Sequence, residues 1–300
     1  MKYAAPLFIL RDKCQAGLFP VLEHLKTIGF DGVEFLGFFG QDPEAVGRKM
    51  LELQLEPVGN HVDYAAFSAD PSGVIAIHKT VGCRYITIGG RFNAVHRAGQ
   101  SSETVDTIGA TRFSAKVETF SADLFSEWVE TVTKIGQMCR DEGITLLFHN
   151  HHNELKQLVG GKQLLAHLLE AVPKESLSLE PDLGWMAIAG ASARDYLIHY
   201  KDRCPVLHFK DYYSSLPIGV AIPGDVTKLG RNRGAQEQGH FEFRPTGYGI
   251  MNYPILMEPM LACRPEWIIL DHDLAYERDP FYDLQLSLDY MKALVGIHQA

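Results

Sequence analysis

Between residues 145 and 155 an apolar run changes abruptly into side chains that can bind metal ions or move protons. The segment TLLFHNHHNEL begins as a buried strand would and continues into HNHHNE at residues 149–154. Imidazole titrates near neutral pH, and both imidazole and carboxylate groups bind divalent cations. The segment is therefore either an ordinary polar loop or the rim of a site that combines a metal ion with a proton-transfer group.

Similar side chains follow most of the apolar runs in the chain. Including those of the segment above, they are Glu34, His61, His149, His151, Asp182, His208, Lys210, Asp271 and Asp273. Any one of them alone is more typical of a hydrogen-bonded loop residue. Their repetition at the same structural level favours a shared site instead. A set of carboxylates and imidazoles without a thiolate suits Mn²⁺, Zn²⁺, Co²⁺ or, less well, Mg²⁺. We therefore predict a divalent metal site, with Mn²⁺ as the first expectation.

Eight strand-and-helix repeats would position these residues. Predicted strands cover residues 6–10, 31–35, 56–62, 85–89, 145–149, 177–181, 205–210 and 267–271. Apolar residues at helical spacing lie between them, for example at 18–29, 124–143 and 280–296. This alternation predicts an α/β fold with a parallel sheet. Eight repeats favour a closed (β/α)₈ barrel over an open sheet, and no Gly-rich nucleotide-binding motif follows the first strand.

Two connections are unusually long, at about residues 90–121 after the fourth strand and 212–250 after the seventh. In a barrel, loops that follow strands lie on the face where substrates bind. Loops of this length are typical of functional lids or of disordered segments, and we expect lids. No linker composition divides the chain, so we predict a single domain over residues 1–300.

Composition narrows the class of protein. The net charge of −9 disfavours a non-specific grip on nucleic acid or on an anionic membrane. The five cysteines are scattered and form no CxxC pair, which indicates buried thiols in a reducing compartment. No apolar run is long enough for a signal peptide or a membrane span. We expect a cytoplasmic protein with a small-molecule substrate, and the oligomeric state is left open, a homo-oligomer included.

Motifs in order along the chain resemble a known family. The motifs that carry the resemblance are GVEFLGFFG, VGNHV, FHNHHNEL, LEPDLGW, VLHFKD, GYGIMNY and IILDHD. They are similar to the xylose isomerase-like superfamily of TIM barrels, and most similar to its sugar phosphate isomerase/epimerase group. The resemblance covers nearly the whole chain, from Glu34 to the C-terminal helix. It implies a divalent metal held by residues at the ends of the last four barrel strands.

The resemblance implies metal ligands residue by residue. Asp182, His208 and Asp271 match three ligand positions, although the family most often has Glu where this chain has Asp271. For the fifth strand we expect Glu154 to supply the ligand, and the alternative makes His149 the ligand. Glu34, His61, His149 and Trp185 are expected to line the substrate pocket.

The implied reaction passes through an enediolate intermediate. His151 would remove the α-proton to form it, the metal would stabilise it, and Lys210 would donate a hydrogen bond to the developing oxyanion. We expect an isomerase or epimerase acting on a keto-sugar or related polyol. The alternative is a dehydratase or lyase that acts by β-elimination on a 3-keto-sugar or inosose-type substrate. A DNA-repair endonuclease of the same superfamily is disfavoured by the net charge, and a non-catalytic sugar-binding protein is kept open by Asp271.

Overall fold

The computed structural model describes residues 1–89, 121–215 and 241–299, and a curled β-sheet lies at its centre. Strands in the order of the chain are β1 (Lys2–Pro6), β2 (Gly32–Phe35), β3 (Glu56–His61), β4 (Tyr85–Gly89), β5 (Thr145–His149), β6 (Leu158–Val159), β7 (Lys162–Gln163), β8 (Ser178–Glu180), β9 (Val206–Ser214), β10 (Phe241–Arg244) and β11 (Trp267–Asp271). The short strands β6 and β7 form a separate hairpin.

Eight of these strands run parallel in the order β9–β11–β1–β2–β3–β4–β5–β8. The sheet closes where the end of β8 meets β9. There the backbone N–H of His208 donates to the carbonyl of Pro181 at 3.0 Å, and Asp182 and His208 form a parallel bridge. Each barrel strand therefore lies beside the next one along the chain, which confirms the predicted (β/α)₈ TIM barrel.

Helices connect the strands. In chain order they are α1 (Arg11–Ala16), α2 (Leu18–Ile28), α3 (Pro43–Leu53), α4 (Tyr64–Ala69), α5 (Pro71–Val81), α6 (Ala122–Asp141), α7 (Asn153–Lys156), α8 (Leu164–Ala171), α9 (Leu183–Ala189), α10 (Ala193–His199), α11 (Met257–Cys263) and α12 (Pro280–Gln299). Single 3₁₀ turns occur at Lys201–Arg203 and Tyr253–Leu256. Among the described residues, none of these helices has the length and apolarity needed to cross a membrane.

The interior of the barrel is filled by an apolar cluster. Its members are Ala4, Val58, Tyr85, Leu147, Val206, Trp267 and Ile269. Successive strand residues face opposite sides of a sheet, so in β5 Leu147 joins this interior cluster while Leu146 and Phe148 join the larger core that includes the helices.

The same alternation explains where the polar residues lie. Two positions after Leu147, Val206 and Ile269 come the residues that the sequence singled out, and these are His149, His208 and Asp271. Their side chains therefore face the same side as the apolar cluster, one layer further toward the C-terminal ends of the strands. The interior apolar cluster is the floor on which the polar site is built.

The first strand differs from its prediction. It was expected at residues 6–10, but β1 is Lys2–Pro6, which pairs with β2 and β11. The more apolar run that follows turns away from the sheet, and Leu7 and Leu10 are buried in the outer core. The residue of β1 that faces the barrel interior is Ala4, and it packs in the interior apolar cluster that also contains the large side chain of Trp267. Hydrophobicity alone therefore pointed to the wrong segment.

The two long connections lie mostly outside the described residues, including nearly all of 90–121. In the second connection, β9 extends to Ser214, four residues beyond its predicted end, and pairs antiparallel with β10. This extra strand was not predicted. All five cysteines are buried and unpaired, which confirms the expectation of buried thiols.

Candidate metal centre and active site

Three of the predicted metal ligands converge where β8, β9 and β11 end. Ligand atoms of Asp182, His208 and Asp271 all lie within 4.8 Å of one another, and we call these residues the Asp182 group. The Nδ1 atom of His208 lies 3.3 Å from Oδ2 of Asp271. All three residues are buried.

The local sequence around Asp182 fixes its orientation. Asp182 is the N-cap of α9, and its Oδ1 accepts a hydrogen bond from the backbone N–H of Trp185 at 2.8 Å. The amide side chain of Asn150 brackets its backbone, accepting from the N–H of Asp182 at 3.1 Å and donating to its carbonyl at 3.4 Å. These contacts leave Oδ2 directed at the group. Asn150 is a positioning residue to which the sequence analysis gave no role.

Lys210 places an ammonium group among three carboxylates. Its Nζ lies 3.1 Å from Asp182 Oδ2, 2.9 Å from Asp271 Oδ2 and 2.6 Å from Asp273 Oδ1. Burial alone would lower the pKa of Lys210, but the three carboxylates outweigh it and hold that pKa well above its usual value. Lys210 is therefore a permanent positive charge at the mouth of the barrel.

A second group of ligand-type residues lies beside the first. Ligand atoms of His61, His149, Glu180 and His208 lie within 4.8 Å of one another. Glu34 joins them, since its Oε2 lies 3.1 Å from His61 Nε2 and 3.0 Å from His208 Nε2. We call His61, His149, Glu180 and Glu34 the Glu180 group, with His208 on the border of both groups.

Glu180 is the member that the sequence analysis missed. Glu180 lies within the strand predicted at residues 177–181, and the predicted metal ligand is Asp182, just beyond that strand. The alternation within β8 carries the missing signal, because Leu179 belongs to the outer core and its neighbour Glu180 must then face inward. Glu180 is 0% exposed and lies 3.4 Å from His149 and 3.5 Å from His61, each measured from Oε2 to the nearer ring nitrogen.

Charge pairing among these residues is strong. Burial raises the pKa of a carboxyl, but the imidazoles of His208 and His61 outweigh it at Glu34 and lower its pKa. Burial, reinforced by the nearby Glu34, raises the pKa of Glu180 to about 7. Burial likewise raises the pKa of Asp182 to about 6, against the opposing effect of Lys210. A second positive charge near Glu180 and Asp182 would stabilise their ionised forms.

His151 and Glu154 lie on the loop that joins β5 to α7. The ring of His151 is half-buried, with its centroid 5.0 Å from that of His149 and 5.6 Å from that of Trp185. Burial, reinforced by the charge of Lys210, lowers the pKa of His151 well below its usual value. Its imidazole is therefore neutral at pH 7.

Glu154 is buried and belongs to neither group of ligand atoms among the described residues. Its Oε2 accepts a hydrogen bond from the backbone N–H of His151 at 2.8 Å. His149, by contrast, brings Nε2 to 3.7 Å from Asp182 Oδ2. Of the two fifth-strand assignments, His149 is the one whose ring borders the Asp182 group. Both assignments stay predictions.

Trp185 lies beneath Lys210, with Nζ 5.1 Å from the centre of its ring. The indole is almost completely buried in a cluster with Tyr212, Phe241 and Phe243. A cation over an indole face is stabilised electrostatically, so Trp185 holds the ammonium in place. A direct contact between Trp185 and substrate remains a prediction.

The residues fit a divalent cation. Buried ligand atoms without a hydrogen-bond partner among the described residues concentrate here. They are both oxygens of Glu180, Asp182 Oδ2, Asp271 Oδ1, His61 Nε2, His149 Nδ1 and His208 Nε2, of which Asp182 Oδ2, His61 Nε2 and His208 Nε2 are instead in ion-pair contact with Lys210 or Glu34 at 3.0–3.1 Å. Buried polar atoms are normally paired, because an unpaired one costs about 1–3 kcal/mol. Such a set of nitrogen and oxygen atoms facing one another is what a divalent cation requires.

The comparison with protein families gives one match, to the xylose isomerase-like TIM barrel over residues 22–294. The chain belongs to this family. The match spans the barrel from α2 to α12 and includes both ligand groups. No curated protein sequence matches the chain.

Several solved structures share this fold. A sugar phosphate isomerase/epimerase from Parabacteroides distasonis superposes with a TM-score of 0.68 at 15% identity, over 97% of this chain and 94% of that one. The probable 3-DHS dehydratase AsbF from Bacillus anthracis gives 0.66 at 14% identity, over 97% and 99%. The IOLI protein with a bound zinc atom gives 0.63 at 12% identity, over 98% and 96%. At these identities the likeness establishes the fold.

Proposed function

We propose that this protein is a divalent-metal-dependent isomerase or epimerase that acts on a keto-sugar or related polyol through an enediolate. The observation that carries the proposal is the convergence of Asp182, His208 and Asp271 beside a neutral imidazole and a fixed ammonium. These are the parts needed to remove a proton next to a carbonyl and to stabilise the resulting negative charge.

The metal would be held by Asp182, His208 and Asp271, with His149 or Glu154 as the predicted fourth ligand. When bound, a divalent cation supplies Lewis-acid stabilisation of negative charge on substrate oxygens. Mn²⁺ is the metal we propose, and the mixed nitrogen and oxygen set also accommodates Zn²⁺, Co²⁺ or Mg²⁺. The zinc atom in the structure of the IOLI protein supports metal binding by this fold.

His151 is proposed as the base that removes the α-proton. Its lowered pKa keeps the ring neutral at pH 7, which is the protonation state that a general base requires. The ring centroid lies 5.0 Å from that of His149 and 5.6 Å from that of Trp185, which places His151 beside the metal-binding residues. The backbone of His151 is fixed by Glu154, which limits the directions in which the imidazole can point.

Lys210 is proposed to stabilise the enediolate oxygen. Its ammonium group is fixed by Asp182, Asp271 and Asp273, and the ring of Trp185 lies beneath it. A fixed charge of this kind needs no reorganisation when the substrate becomes negative. Glu34, His61, His149 and Trp185 are proposed to shape the substrate pocket around it.

A dehydratase or lyase reaction on a 3-keto-sugar or inosose-type substrate is the second candidate. It needs one base, whereas epimerisation needs a proton-transfer group on each face of the substrate. Asp271 is the second acid that the resemblance offers, and it is already engaged by Lys210 at 2.9 Å and His208 at 3.3 Å. That engagement favours a reaction with His151 as the single base, and the fold of a probable 3-DHS dehydratase supports this reading.

We propose a small-molecule sugar as the partner, with no nucleic-acid or membrane target, and a cytoplasmic location. The reaction is tested by incubating the protein with Mn²⁺ and a panel of keto-sugars and keto-polyols in D₂O. Mass spectrometry of the recovered sugars then follows deuterium at the α-carbon. Deuterium in an epimer or isomer supports the first reaction, and loss of water from the sugar supports the second. Absence of both from the whole panel would contradict the proposed chemistry.

A further inference from the structure

The Glu180 group presents ligand atoms beyond those of Asp182, His208 and Asp271. A second site built from this group takes His149, which leaves Glu154 as the fourth ligand of the first site. Glu180 is 0% exposed, and neither of its oxygens accepts a hydrogen bond from the described residues. Nε2 of His61 and Nδ1 of His149 make ion-pair contacts with Glu34 and Glu180 at 3.1–3.5 Å but no hydrogen bond of good geometry with the described residues. Buried nitrogen and oxygen atoms that face one another in this way are suited to a shared cation.

The distances within the group match those between ligands of one metal ion. At metal–ligand distances near 2.1 Å, neighbouring ligand atoms in a tetrahedral site are about 3.4 Å apart and those in an octahedral site about 3.0 Å. Here His61 Nε2 lies 3.1 Å from Glu34 Oε2 and 3.5 Å from Glu180 Oε2. His149 Nδ1 lies 3.4 Å from Glu180 Oε2. Each of these separations falls within or close to the range for a common cation.

The formal charge of the Asp182 group and the Glu180 group together also favours two cations. Among the described residues, five carboxylates and the ammonium group of Lys210 lie in or beside these two groups. The carboxylates are Glu34, Glu180, Asp182, Asp271 and Asp273. Metal binding requires neutral imidazoles, and in that state the formal charge of these described side chains is −4. One divalent cation neutralises half of it, and two neutralise all of it. Buried charges require such compensation because desolvation costs several kcal/mol per ion.

The imidazoles of His208 and His149 each border both groups, so each can bind a different cation. His208 turns Nδ1 toward Asp271 and Nε2 toward Glu34, at 3.3 and 3.0 Å. His149 turns Nδ1 toward Glu180 and Nε2 toward Asp182, at 3.4 and 3.7 Å. A neutral imidazole binds a metal through one nitrogen and donates its N–H through the other. His208 can therefore serve the Asp182 group while donating to Glu34, and His149 can serve the Glu180 group.

We propose that Glu34, His61, His149 and Glu180 hold a second divalent cation beside the one bound by the Asp182 group. Both sites lie at the C-terminal mouth of the barrel, and a substrate there would meet two cations. His61 is the most accessible ligand, with 26% of its side chain exposed, and marks the open side of the second site. This inference concerns cation binding and does not depend on which sugar reaction the protein catalyses.

Mn²⁺ binding tests the second site directly. The chain is freed of metal with a chelator, titrated with Mn²⁺ alone, and analysed for bound metal by mass spectrometry and electron paramagnetic resonance. We expect two Mn²⁺ ions per chain and a spin-coupled signal, because the two groups share a border. One ion per chain with the six-line signal of isolated Mn²⁺ would overturn the second site and leave the proposed function intact.

Variants assign each ion to its group. Glu180→Gln keeps the shape of the side chain and should weaken one of the two ions by at least about 100-fold, leaving an uncoupled signal. His61→Asn, at a more exposed position, should do the same if Glu180→Gln folds poorly. Glu56→Gln changes an exposed carboxylate at the opposite end of β3 and should keep both ions. Two coupled ions retained in folded Glu180→Gln and His61→Asn would overturn the assignment.

Discussion

The carboxylate of Glu154 accepts a hydrogen bond from the backbone N–H of His151 at 2.8 Å, and this contact holds the loop that carries the proposed base. Glu154 is only 1% exposed, and burial raises its pKa to about 7. The folded protein therefore favours the protonated form of a side chain that is ionised in the unfolded chain at neutral pH.

Glu154→Gln should stabilise the metal-free protein at high pH. The pKa of Glu154 is about 7 when folded and near 4.5 when unfolded, so the folded state binds more protons between these values and the free energy of unfolding falls as pH rises through them. Glutamine keeps the acceptor oxygen without the charge. We expect a gain of about 3 kcal/mol at pH 8 and almost none below pH 4.5, measured by urea unfolding with a chelator present.

Glu142→Gln, at a half-exposed carboxylate paired with Lys79, is the matched control and should show no such pH-dependent gain. The same Glu154→Gln protein also separates the two fifth-strand assignments. Unchanged Mn²⁺ affinity would favour His149 as the ligand, and a large loss of affinity would favour Glu154. A loss of stability at pH 8 would contradict the account of Glu154 as a buried carboxyl whose pKa is raised by burial.

His151→Ala should abolish proton transfer while leaving metal binding in place. Removal of a general base typically costs about 10²–10⁴-fold in rate, whereas His151 belongs to neither group of ligand atoms. The measurement is the rate of deuterium incorporation into the substrate at saturating Mn²⁺, together with the number of bound ions. If exchange persists at the original rate with the same number of ions, another residue is the base.

Lys210→Met should destabilise the metal-free protein and make it more responsive to metal. Without the ammonium group, Asp182, Asp271 and Asp273 are left without their shared cation. An uncompensated buried charge costs about 3–5 kcal/mol. Thermal unfolding with and without Mn²⁺ measures both effects. We expect a lower melting temperature without metal and a larger rise on adding Mn²⁺ than in the wild-type protein. An equal rise in both would contradict the electrostatic role of Lys210.

Asp211 organises the chain that follows β10. Its two oxygens accept hydrogen bonds from four backbone N–H groups at 2.8–3.0 Å, those of Tyr212, Gly247, Gly249 and Met251. Asp211→Ala leaves these donors unpaired and should cost at least about 3 kcal/mol. Limited proteolysis should then cut near residues 245–252. Asp202→Ala, at an exposed aspartate in a 3₁₀ turn, is the control and should resist cleavage there.

This contact also explains the sequence GYG at residues 247–249. A side chain at Gly249 would collide with the carboxylate of Asp211, so the close approach requires glycine. The HxKD motif thus carries three tasks in β9. His208 faces the metal ligands, Lys210 supplies the charge, and Asp211 fixes the neighbouring loop.

Much of the barrel could be predicted because most of its strands are short apolar runs that end in polar residues. The segments at 85–89, 145–149 and 267–271 match β4, β5 and β11 without a change of bounds. The first strand could not be found in this way. Its interior position needs a small residue, Ala4, and the apolar run beside it packs in the outer core. Tertiary packing outweighed local hydrophobicity there.

The sequence predicted most of the residues that form the candidate site, but not which side-chain atoms contact each other. Residues at the ends of parallel strands meet, which predicts a shared site, and the resemblance to the family then implied Asp182, His208 and Asp271 as its metal ligands. Glu180 was hidden because a single acid inside an apolar strand gives no pattern without its inward direction. The sequence also does not tell which nitrogen of His208 faces which carboxylate, because that depends on the distance between strands in the closed barrel.

Crystals soaked in Mn²⁺ and measured at a wavelength where manganese scatters anomalously test the central claim most directly. The account predicts an anomalous peak enclosed by Asp182, His208 and Asp271 at the mouth of the barrel. It is contradicted if that position shows no peak at a Mn²⁺ concentration that saturates binding in solution, or if the peak lies away from all three residues.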